Sequence, residues 1–427
     1  MLARASFLHR TCWTCGRRCY SIAAIPDYHP KVRAIPFAFS PDAAITHVGT
    51  TAALVTQTCS SSTMKEELGR LIGSFIAKYF SATGFKVIQP ERTQALYYPS
   101  WCIDAEAEVK AWFSSDPEDG PENVTVQFRH AELPGFGMEL GRISLRDENL
   151  TFERTQPFSS SLVRQHELDI HCLPYNINPL ELLDRVRDMS YGPIRIDDGL
   201  RFDPRSIRFN LVAAYPVLLP VYVFQYVPMG PYSRVTIIVE AHTEPGRHYV
   251  HFVGGPDFKR LPAQDVCDDE DFVSQGVLST KCRFSPHVIA PRSHANVSEE
   301  LCSWMSTFFD GRDGLQQLIN NHSVDMADFR VREWTKEEAL PVQDWMQLGE
   351  DVVRLRGMVK AMSNISVDQI RVIQFPPRTT DSKKVVEGLQ GFFKAEAEKL
   401  QKLEETREAQ MPAWWRQWQD DQTPKPS

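Results

Sequence analysis

A few histidines and acids stand at spacings that invite a test for metal or acid–base chemistry. His166-Glu167-Leu168-Asp169-Ile170-His171 has the residue types of a zinc-protease helix, but its histidines are one position too far apart. On a helix of 3.6 residues per turn the two imidazoles would sit about 140° apart and could not share one ion. Glu240, His242, His248 and His251 flank a turn at 243–246, where a hairpin would bring two of them together. Solvated strand faces are the plainer reading. Gly135-Phe136-Gly137 and Gly141 lack the spacing and the strand–helix setting of a dinucleotide loop. Neither a phosphate-binding P-loop nor a GxSxG elbow is present. Asp104 and Glu106 share one strand face, where alternating acids serve solvation. The sequence therefore names no catalytic residue, no metal ligand and no cofactor.

The cysteines add nothing to this inventory. Cys12 and Cys15 have CxxC spacing, but both fall in a segment with the character of an address. Residues 1–26 carry Arg4, Arg10, Arg17 and Arg18 and no acid before Asp27. That is the composition of a mitochondrial transit peptide, drawn inward by the membrane potential. Arg18, Tyr20 and Ser21 have the pattern of a matrix processing site, which makes residues 1–20 the presequence. Its removal takes four arginines and no acid, so the net charge goes from −8 to −12. A chain this acidic is not expected to bind nucleic acid directly. The remaining cysteines, Cys59, Cys102, Cys172, Cys267, Cys282 and Cys302, are far apart and form no CxxC, so no zinc ribbon is expected.

Behind the presequence, the segment 21–60 is punctuated by Pro26, Pro30, Pro36 and Pro41. Thr63 and Glu66 form a capping box for an amphipathic helix ending near Gly84. Ile103, Ala105 and Ala107 alternate with Asp104, Glu106 and Glu108, and Val124–Phe128 follows. That pattern predicts a hairpin with one buried and one solvated face. Leu168–Pro174 reads as a short strand, and Asn178-Pro179 opens a helix. The uncharged stretch 209–233 is long enough to span a membrane, but Pro216, Pro220 and Pro228 favour a buried strand. Arg234–His242 and Arg247–Val253 form a hairpin behind it. Tyr97–Trp101 and Leu218–Tyr222 share an aromatic-proline pattern, which suggests two related sheet halves.

The C-terminal third is helical. Trp345, Leu348, Val352, Leu355, Val359 and Met362 step by three and four, as in a coiled coil. Val386, Leu389, Phe393, Leu400 and Leu403 keep the same register, with Glu396 in the missing slot. Two such seams suit an antiparallel helical pair, or a partner's helix laid on either one. Trp414, Trp415 and Trp418 form an aromatic cluster ahead of a polar tail.

Four short segments occur in an order that resembles a set of zinc-ribbon or primosomal-protein-like proteins. They are Pro36-Phe37 with Ser40 and Ala43, Tyr98-Pro99-Ser100-Trp101-Cys102-Ile103-Asp104-Ala105, Leu173-Pro174-Tyr175, and Leu218-Leu219-Pro220-Val221-Tyr222. The resemblance covers residues 34–255 and implies an α+β core, without implying a reaction. The ribbon that names the set is missing here.

The expected architecture is α+β: an antiparallel sheet core of two related halves with packed helices, followed by a helical C-terminal region. The expected divisions are a presequence (1–20), an extended segment (21–60), the core (61–290), the helical region (291–420) and a disordered tail (421–427). The expected function is that of a non-catalytic mitochondrial interaction, assembly or maintenance factor. Protein partners would use Trp345, Leu348, Val352, Leu355, Phe393, Leu400, Trp414, Trp415 and Trp418, with peripheral inner-membrane association as a further expectation. The alternatives are an enzyme with a dispersed active site and an integral inner-membrane protein using residues 209–233.

Overall fold

The computed structural model describes residues 28–57, 87–113, 120–136, 150–181, 193–196, 200–227, 234–243, 246–253, 286–289, 297–310, 324–363 and 382–422. The processing site and the helix expected at 63–84 lie outside these residues. The chain is α+β, a mixed sheet curled into a half-barrel with helices gathered at the C-terminus.

The elements are β1 (Arg33–Ala34), α1 (Pro41–Gln57), β2 (Arg92–Trp112), β3 (Glu122–Pro134), β4 (Gln156–Pro157), β5 (Arg164–Gln165), β6 (Leu168–Cys172) and β7 (Ile194–Arg195). They continue with β8 (Arg201–Tyr226), β9 (Arg234–Glu240), β10 (His248–Val253), β11 (Pro286–Ile289), α2 (Val297–Asp310), α3 (Lys336–Ser363), α4 (Ser382–Ala409) and α5 (Ala413–Gln422). The main strand order is β10-β9-β8-β2-β3-β11. Neighbours along this path pair antiparallel, while β1 joins β8 and β6 joins β2 in parallel.

The sheet is built on β2 and β8, which pair antiparallel from Arg92↔Gln225 to Trp112↔Arg201. Strands this long must coil, and register shifts after Glu106 and Glu108 increase the local twist. The two aromatic-proline segments are direct neighbours, with Tyr97 opposite Pro220 and Pro99 opposite Leu218. Proline in a central strand forfeits a ladder hydrogen bond. Pro99 avoids that loss by its position: β6 pairing ends at Tyr97 and β3 pairing begins at Ser100. Pro216 lies likewise between the bridge at Ala214 and the β1 pairing at Val217.

Both faces of the sheet are covered. On one, α1 and the segment around Phe37 and Phe39 bury Tyr97, Tyr222 and Phe224. On the other, Trp334, Val342, Trp345, Met346 and Trp415 pack on Tyr98, Cys102 and Leu219. The stretch 209–226 is therefore a doubly covered strand, and among the described residues no helix is long and apolar enough to cross a membrane.

Candidate functional site

The side of β2 that bears Asp104 and Glu106 differs from the expectation. Both acids share one face, but neither meets solvent, because α3 lies over them. Alternation with acids reads as a solvated face only when nothing else covers it, and the cover here comes from more than 200 residues downstream.

Asp104 sits at a bulge. Pairing jumps from Ile103↔Ala131 to Ala105↔Phe128, which leaves Arg129 and His130 opposite one residue. His130 takes a φ of 52°, a left-handed conformation costly for a side-chain-bearing residue. Its backbone N–H donates to Asp104 Oδ1 at 2.7 Å, which offsets part of that cost. Its ring Nε2 lies 2.8 Å from the Gln343 carboxamide on α3. Burial raises the Asp104 pKa, against the lowering pull of His130. Asp104 Oδ2 and Tyr215 Oη are both buried without a hydrogen-bond partner.

Beside the bulge, Ser100, Cys102, His130, Glu132, Leu219 and Trp334 line a small indentation with room for about one water molecule. Ser100 Oγ donates to Glu132 Oε1 at 3.1 Å. This brings a histidine, a carboxylate, a hydroxyl and a thiol to one place.

Glu106 lies one step further along β2 on the same face and is fully satisfied. Its Oε1 accepts from Arg407 Nη2 at 2.5 Å and Asn210 Nδ2 at 3.0 Å, and its Oε2 from Gln127 Nε2 at 2.9 Å. The Arg407 guanidinium lies 4.0 Å from the centroid of the Trp345 ring. Gly349 makes this approach possible, since a Cβ there would collide with Glu106 Oε2 and lie 2.7 Å from Arg407 Nη2.

Of the residues around the 243–246 turn, Glu240 and His242 are buried together, with Nε2 of the histidine 3.8 Å from a Glu240 oxygen. Arg247 Nε and Tyr249 Oη donate to Glu240 at 3.0 and 2.8 Å. Burial nevertheless raises the Glu240 pKa to about 7. His248 lies instead against α1, 3.0 Å from Thr51 Oγ1. Among the described residues, no three His, Cys, Asp or Glu side chains are placed to hold a metal ion. His166 forms part of the turn between β5 and β6, with φ 51°, and His171 lies in β6, so the two histidines share no helix.

The residues expected to serve a partner are largely used inside the chain. Trp345, Val352 and Leu355 are buried, while Leu348, Phe393 and Leu400 are half-buried on the two packed helices α3 and α4. Trp415 is fully buried in the core and stacks on Trp418 at 4.5 Å. Trp414 and Trp418 lie under Arg332 and Arg330. Gln127, His130, Gln343, Gly349 and Arg407 were not legible as site residues. A signal existed for Arg407: the seam of Leu400 and Leu403 continues four residues on to a charged side chain.

Comparison with family models, curated proteins and solved structures finds no match for this chain.

Proposed function

We propose that the chain is a non-catalytic mitochondrial protein, in the matrix or on the matrix face of the inner membrane, that holds a protein partner as an assembly or maintenance factor. The observation that supports this reading is the edge of the α3–α4 seam. The helix packs on α3 along that seam, and Phe392, which flanks it beside Phe393, is half exposed. Aromatic side chains are enriched in protein–protein interfaces relative to the rest of the surface, which makes Phe392 the candidate anchor. The test is proximity labelling of the full chain in mitochondria, comparing the parent with Phe392→Asp. The expected result is loss of specific neighbours with unchanged melting temperature. Identical neighbours in both would overturn the reading.

An enzyme with a dispersed site is the second reading, and the indentation beside His130 and Glu132 is what favours it. Metabolite changes that accompany both His130→Ala and Glu132→Gln, but not Phe392→Asp, would favour it over the first.

A further inference from the structure

The surroundings of Arg407 have the composition of a recognition site. Glu106 supplies a wholly buried carboxylate, held in place by Gln127 and Asn210 so that its Oε1 meets the guanidinium. Gln127 is itself fixed, donating to Met346 O at 2.6 Å and accepting from Arg129 at 2.8 Å. Trp345 supplies a flat face 4.0 Å from the guanidinium carbon. Gly349 leaves the opening. A carboxylate at the edge and an indole on the face suit a planar delocalised cation, and suit a compact ammonium poorly. Arg407 enters end-on through Nη2, and its Nε is buried without a hydrogen-bond partner.

We propose that Glu106, Gln127, Asn210 and Trp345 form a guanidinium-binding site with Arg407 as its tethered ligand, and that occupancy of the site holds the end of α4 against α3. This is independent of the partner reading above, which rests on Phe392, about 22 Å away along α4 by the 1.5 Å rise per residue.

The test uses the full chain carrying Arg407→Ala, with ethylguanidinium or ethylammonium added at equal millimolar concentration. The variant is expected to melt below the parent and to show faster hydrogen exchange in the last turns of α4. Ethylguanidinium should raise its melting temperature by several degrees and slow that exchange, while ethylammonium should do neither. The parent, whose site is filled, should not respond. Equal response to both cations, or to neither, would overturn the proposal. Should Arg407→Ala not fold, Arg407→Lys serves instead: it keeps the charge and loses the fork, so it should still melt below the parent and exchange faster at the end of α4, and a parent-like melting temperature would overturn the proposal. Parent-like exchange in α4 of a folded variant would overturn the holding role.

Discussion

Arg407 and Glu106, separated by most of the chain, meet through the space that Gly349 leaves in α3. Glu106 is fully buried, and the Arg407 guanidinium is the cation paired with it. Removing one member of a buried pair typically costs about 3–5 kcal/mol, because the other charge stays unpaired out of water. Arg407→Met and Glu106→Gln should each destabilise the protein, and the double variant should lose clearly less than their sum. Chemical denaturation of the three variants measures this, and simple additivity would contradict the pairing.

Gly349 is the second half of the same relationship. Alanine is the better helix former by about 1 kcal/mol, so an unhindered Gly349→Ala would stabilise α3. Here the added methyl would meet Glu106 and Arg407, and the expected sign is reversed. The variant should melt lower than the parent, whereas Gly388→Ala, where nothing lies within 4 Å, should not.

How far the sequence reveals this arrangement depends on range. The hairpin of β9 and β10, the strand at 209–226 and the helices α3 and α4 follow from local periodicity and turn residues, and each element is present. The burial of Asp104 and Glu106 does not follow, because it is caused by a helix distant in sequence. The bulge at His130 is equally hidden, since histidine gives no local signal for a positive φ as glycine does. The likeness of the two aromatic-proline segments hints that they are neighbours, but nothing in it sets their antiparallel register.

Glu240 makes stability depend on pH. Its pKa is about 7 in the folded chain, raised by burial above the ordinary 4.5. Between these values the folded protein holds a proton that the unfolded chain has released. Stability from this group is therefore lost as pH rises from about 4.5 to 7, by at most on the order of 3 kcal/mol. Glu240→Gln should flatten the dependence between about pH 5 and pH 8, measured by denaturation at both. An equally steep loss in the variant would assign it to another group.

The register of the α3–α4 pair decides which seam substitutions couple. Arg407 stacks on Trp345, and Arg356 pairs with Glu404 at 2.7 Å, so the helices run antiparallel with Leu355 level with Leu400. Phe393 then lies about 20 Å along α4 from Arg407, by the 1.5 Å rise per residue, and far from Leu348. Leu348→Asp and Phe393→Asp should each lower the melting temperature, and their effects should add, since sites more than about 10 Å apart act independently. Leu355→Ala and Leu400→Ala should instead be non-additive. Leu355 is the more buried of the two, so its truncation should cost more, about 2–4 kcal/mol. A double-mutant cycle on each pair checks the register directly: coupling between Leu348 and Phe393, with none between Leu355 and Leu400, would require the helices to pack in a different alignment.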